Sequence, residues 1–200
     1  MPEPRLSADE LERIRHALRL RRWPDVTTDE LARAAGVTRM TLHRRGIGRE
    51  QVLAGLATVL EDAHRDAVLP ALTHAGTGRQ RLGLALERLC AVNERYLTLL
   101  DALADATDHV FHEAGDGPVL TRGAFTDGLQ RILTDGARDG TLRVDDVPAT
   151  ATLLFNAVGW TYRHMRVGHG WPPEQAGPAV VSLLLDGVAG PASGPPSAGT

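Results

Sequence analysis

The chain has 200 residues, 42% of them hydrophobic and 24% charged, with a formal net charge of −3. That length suffices for one large domain or for a small head on a larger body. No apolar run approaches the roughly 20 residues that a bilayer-spanning helix needs, so a membrane span is not expected. All 22 basic residues are arginine, and residues 1–50 hold 11 of them against 8 acids, leaving 11 against 17 in the remainder. A basic N-terminal part on an acidic remainder is what a nucleic-acid-binding head fused to a body of another role would show. The N-terminus is charged where a secretory signal would be apolar, which points to a cytoplasmic protein. Cys90 is the single cysteine; it excludes an internal disulfide and a multi-cysteine zinc site, and is expected as a small buried apolar residue.

Helical periodicity runs through the chain and no stretch alternates apolar and polar residues for long, so an all-α protein with near-zero strand content is expected. Ser7 with Glu10 reads as a capping box and Leu6 with Leu11 as the staple across it. The stripe Leu11, Ile14, Leu18 and Trp23 follows, stopped by Pro24. Thr27 with Glu30 opens a short helix to Ala35, Gly36 turns the chain, and Thr38 caps a helix over residues 38–45. Gly46 and Gly48 bracket Ile47, and a long helix is expected over residues 49–69, before Pro70. Further helices are expected over residues 79–101, 102–113, 118–138, 148–167 and 174–188, with a disordered tail at 190–200. The division expected is a helix-turn-helix domain at 1–48 and a helical bundle at 49–189, joined by the 49–69 helix.

The informative stretch is TTDELARAAGVTRMTLHRRGIGREQVL, residues 27–53. It reads as two short helices about a glycine turn, with Ala32 and Ala35 allowing close approach and Leu31, Val37 and Leu42 sealing the gap. The second helix is then free to enter a DNA major groove with Thr38, Arg39, Met40 and Thr41 toward base edges. Arginine can bind guanine through two hydrogen bonds, while Thr and Met can touch a thymine methyl. Arg44, Arg45 and Arg49 are placed for phosphates, and Thr27, Thr28 and His43 complete the expected DNA-facing set.

These residues resemble the DNA-binding head of the TetR family of transcription regulators. Thr28, Ala32, Ala35, Gly36, Val37, Thr38, Leu42, Glu50 and Leu53 match the family's pattern. His43 stands where a phosphate-contacting tyrosine is usual, Gly46 where a packed phenylalanine is usual, and Arg49 replaces lysine; Ile47 is the candidate to replace the missing ring. The resemblance covers residues 7–60 closely. It implies a three-helix DNA-binding head and a C-terminal bundle that binds an effector and forms a homodimer, acting on palindromic operator DNA as a repressor released by a small molecule.

For the dimer interface, the apolar stripes of the last two helices are the expectation: Ala151, Leu154, Phe155, Val158 and Tyr162 on one, Val180, Val181, Leu184, Leu185 and Val188 on the other. For an apolar or amphipathic effector, the residues singled out are Tyr96, His109, Phe111, Phe125, Asn156 and Trp160. Enzyme readings find little support. Glu61 with His64 has the spacing of a di-iron bundle pair but no second pair follows, and His109, His112 and Glu113 lack a further ligand at a fixed spacing. No nucleophile elbow, phosphate-cradling loop or dinucleotide fingerprint is present. Neither a cofactor nor a metal is expected. The main alternative is a dimeric ligand-binding protein of this fold that has lost DNA recognition.

Overall fold

The computed structural model describes residues 6–18, 22–106, 111 and 121–187, and among them there are nine α-helices and no β-strand. Three short helices form the head: α1 (Ala8–Ala17), α2 (Thr28–Ala35) and α3 (Arg39–Arg44). Their starts are set by side chains that satisfy otherwise orphaned amides. The Ser7 amide donates to Glu10 Oε2 at 2.8 Å while Ser7 Oγ accepts from the Glu10 amide at 3.2 Å, and Thr27 with Glu30 repeats the arrangement. Between α2 and α3, Gly36 takes φ 75°, which turns the chain so that the Val37 amide donates back to the Ala32 carbonyl at 3.0 Å. Ile14, Leu18, Trp23, Val26, Leu31 and Leu42 close the core of the head.

The body begins with α4 (Arg49–Thr73). It runs through Pro70 instead of ending before it. Proline removes one backbone donor, but Ala71 beyond it is buried, and the carbonyls of Ala71 and Leu72 accept from the Arg81 guanidinium at 3.0 and 3.2 Å. Arg81 also pairs with Asp135 at 2.9 Å, so one side chain ties the end of α4 to two neighbouring helices.

Next come α5 (Gly78–Arg95), α6 (Leu97–Ala102), α7 (Gly123–Arg138), α8 (Val147–Arg163), extended by one π-helical turn at His164–Gly168, and α9 (Pro173–Gly187). The single helix expected over 79–101 is thus two, broken at Tyr96, whose φ −107° and ψ 12° lie outside helical geometry. Half of the helix expected over 102–113 lies outside the described residues; the described half is the end of α6 at Ala102, Leu103, a 3-10 turn at Ala104–Ala106, and Phe111. At the start of α5, Gly78 packs so closely on α7 that an added Cβ would lie 2.1 Å from Gly136 Cα. The Gly78 amide is capped from the α7–α8 loop by Asp139 Oδ2 at 2.7 Å.

Burial revises the interface expectation. Ala151, Leu154, Phe155, Val158 and Tyr162 of α8, and Val180 and Val181 of α9, are buried inside the protomer, and Leu184 and Leu185 are half-buried against the same core. A side chain already enclosed has no surface left for a partner. These helices hold their exposed apolar surface at Leu153 (69%), Trp160 (48%) and Leu183 (70%). Val188 and the tail lie outside the described residues. Cys90 is buried, and desolvation pushes its thiol up to about 12, so it packs as a neutral group.

Candidate functional site

Helix α3 rests on the head through Leu42, its one buried residue, and leaves the rest of its surface outward. Thr38 Oγ1 accepts from the Thr41 amide at 3.1 Å and lies 2.9 Å from Thr41 Oγ1, which fixes where the helix starts and holds both hydroxyls at its outer end. Thr38, Arg39, Met40, His43 and Arg44 are exposed, and Thr41 is half-exposed. Met40 is 73% exposed, an apolar side chain with no core to fill. Arg39 approaches Asp29 only at 3.5 Å, with both side chains largely in solvent, so the pair holds it weakly. Together these residues form a convex ridge one helix wide, cationic and apolar, of the size a major groove admits.

Two of the arginines expected on phosphates are otherwise engaged. Arg45 pairs with Glu10 of α1 at 2.8 Å, and the Ser7 amide, followed by Arg45, holds that carboxyl below the usual carboxylate range. Arg49 donates to the Trp23 carbonyl at 2.7 Å and lies over the indole ring at 5.0 Å. A phosphate would have to compete with both internal partners. Thr27 serves as the α2 cap, and Thr28 is half-buried at the first position of that helix.

The departure at Gly46, and the placing of Ile47 beside it, have a structural reason. Gly46 adopts φ 67° just past α3, its amide donates to the His43 carbonyl at 2.9 Å, and the Ile47 amide donates to the Leu42 carbonyl at 3.0 Å. This left-handed helix end turns Ile47 inward, where it is buried. A side chain at position 46 would strain the turn, and Ile47, between α3 and α4 in sequence, joins the buried core.

In the body, α4, α5, α6 and α8, together with Phe111, line a small half-open cavity of about 50 Å³, bordered by His64, Leu89, Asn93, Leu100, Phe111, Phe155, Asn156, Val158, Gly159, Trp160 and Arg163. Phe111, Asn156 and Trp160 lie on it as expected from their residue types. Phe125 stands behind the wall, 5.0 Å from Phe111. Tyr96 is elsewhere: it is buried where head meets body, under Arg15 of α1 at 5.3 Å. His109 lies outside the described residues. The sequence reading missed His64, Asn93 and Arg163 as cavity residues. His64 follows Leu56 and Leu60 on the buried stripe of α4, and a histidine on an apolar stripe was the available signal.

Helix α4 physically joins the two places. Its first turns, with Val52 and Leu56 buried, pack on the head, and His64 stands 15 residues beyond Arg49, roughly 22 Å along the axis. An exposed double contact between Arg22 and Asp105, at 2.6 and 3.1 Å, forms a second tie between head and body. No helix among the described residues is long and apolar enough to cross a membrane.

No protein-family model matches the sequence, and no curated protein does. Solved structures do match. A putative fatty acid metabolism regulator of Clostridium perfringens superimposes with TM-score 0.69 at 12% identity, over 90% of this chain and 98% of that one. The TetR family transcriptional regulator PfmR of Thermus thermophilus gives 0.65 at 19%, over 88% and 97%. AibR in complex with isovaleryl coenzyme A and operator DNA gives 0.64 at 17%, over 88% and 96%.

Proposed function

From the TetR fold, which this chain has, we propose that the protein is a dimeric DNA-binding transcription regulator whose hold on its operator is set by a small molecule in the body. The observation that carries this reading is α3, whose exposed Thr38, Arg39, Met40, His43 and Arg44 have no role in the head's packing and form a ridge suited to the major groove. Residues 1–48 are the DNA-binding unit and residues 49–189 the effector-binding and dimerising unit. Two copies meeting through the exposed Leu153, Trp160 and Leu183 face would present two such ridges to a palindrome. A regulator of this kind works in the cytoplasm, and the reading assigns it no catalytic step.

Effector in the cavity displaces α4, changes the spacing of the two α3 ridges and releases DNA, so the protein acts as a repressor. The support is connectivity, since one continuous helix touches both the head and the cavity. Coupling of about 1–3 kcal/mol suffices for such control. Selection of bound duplexes from a random pool at two salt concentrations tests the reading: a palindrome with half-sites about one turn apart, bound more weakly at the higher salt, is expected. A folded dimer that enriches no sequence would favour the ligand-binding protein without DNA recognition.

A further inference from the structure

The inner end of the cavity is built around a histidine. The chain has three phenylalanines, and all three gather there: Phe125 stands edge-on to His64 at 5.3 Å, Phe155 lies at 5.4 Å, and Phe111 meets Phe125 and Phe155 at 5.0 and 5.7 Å. His64 is 2% exposed. Its Nδ1 lies 2.7 Å from the Leu60 carbonyl, and because a carbonyl can only accept, Nδ1 carries the proton. Nε2 is then a lone-pair acceptor, and among the described residues it has no hydrogen-bond partner. Burial pushes the imidazole down to about 4, which keeps the ring neutral at physiological pH.

Asn93, from α5, is the second open polar group. It is 3% exposed and lines the same cavity, and its amide has no hydrogen-bond partner among the described residues. A Cβ on Gly159 would lie at ordinary contact distance, 4.0 Å, from Asn93 Oδ1, which places that amide against α8 at the cavity wall. Asn156 is already engaged, its NH2 donating to Thr121 Oγ1 and the Thr152 carbonyl at 2.8 Å each. His64 and Asn93 both border the cavity, where a donor or acceptor on a ligand can reach them.

We propose that the cavity takes a neutral, largely apolar aromatic ligand whose buried end carries a hydroxyl or N–H that donates to His64 Nε2, with Asn93 pairing a further polar atom. This rests on the reading of the body as effector-binding. An anionic head does not fit the inner end: Arg163 is the one cation among the cavity residues described, it pairs with Asp101 at 3.0 Å and it covers the Trp160 ring at 4.7 Å. A buried carboxylate would face the lone pair of a neutral imidazole. A pure hydrocarbon would leave His64 and Asn93 dry, which disfavours it against a donor of the same shape.

Phenol, anisole and benzoate share a ring and differ in what they offer Nε2. Titrated calorimetrically into the full chain without DNA, phenol is expected to bind about tenfold more tightly than anisole, the worth of one buried hydrogen bond, and benzoate weakest. In protein carrying ¹⁵N-labelled histidine, phenol and not anisole should move the His64 Nε2 resonance upfield. His64→Phe keeps a ring and removes the acceptor, so the preference for phenol should vanish in it. The NMR measurement on the unaltered protein decides the matter even if that variant does not fold. Binding of anisole or benzoate equal to that of phenol, an unmoved Nε2 resonance, or no binding by any of the three overturns the proposal. Because no DNA is in the tube, such a failure is separate from a failure of the regulator reading, which the duplex selection tests.

Discussion

Replacing His64 by glutamine should flatten the acid side of the protein's stability profile. The unfolded chain has its imidazole near the ordinary value of 6.5, while burial beside Phe125 and Phe155 lowers it to about 4 in the fold. The sign follows from proton uptake. Above pH 6.5 neither state holds the proton, so the shift contributes nothing there. Between 6.5 and 4 the unfolded chain is protonated and the folded one is not, so stability falls as pH falls. By pH 5 the loss from this residue is about 2 kcal/mol. The carboxyls whose values are lowered, among them Glu10 and Glu94, change stability in the same direction, but only once pH falls toward their unfolded values of 4.5. The interval from 6.5 to 5 therefore separates His64 from them. Urea titrations at half-unit steps of pH, at one fixed protein concentration because self-association would make stability depend on it, should show a slope in the unaltered protein and a much smaller one in His64→Gln. Parallel profiles would mean that the ring is not held neutral by the fold, and the acceptor assigned to Nε2 would fall with it.

Arg39→Ala should weaken binding to the selected operator by about 1–3 kcal/mol and relax the preference at one base position, without lowering the melting temperature; fluorescence anisotropy on matched and mismatched duplexes measures it. Arg44→Ala should weaken matched and mismatched duplexes alike and reduce the salt slope by about one, the signature of a phosphate contact. Arg45→Ala should behave differently, lowering stability in urea by about 1 kcal/mol through loss of the Glu10 pair, whose arginine end is partly in solvent. Gly78→Ala should destabilise by about 1–3 kcal/mol, since its methyl would meet the α7 backbone and not a movable side chain. Leu183→Arg should convert the proposed dimer to monomer in sedimentation velocity, because it places a charge on the large apolar side chain that α9 leaves exposed; an unchanged dimer would place the interface elsewhere.

What the chain determines by itself is local. The capping boxes at Ser7 and Thr27, the cap at Thr38 and the turn at Gly36 all appear where their spacing places them. Each depends on groups three or four residues apart, and that geometry is common to every helix start or end. The same locality made the exposed ridge of α3 legible, and with it the all-α class, while the TetR fold entered through the resemblance of residues 7–60. Partners distant in sequence were decided by tertiary structure. Arg45 meets Glu10 across 35 residues and Arg49 meets Trp23 across 26, so two cations expected outward are tied inward. Periodicity located the apolar stripes of the last two helices, but their neighbours assigned Leu154, Phe155 and Val158 to the protomer's core and left Leu153 and Trp160 outside. His64 shows the division most sharply: its position on the α4 stripe indicates burial, while the phenylalanines and the open cavity that give the burial a chemical meaning come from helices packed against α4. Spacing along one helix sets which residues share a face, and only the packing of other helices sets what that face meets.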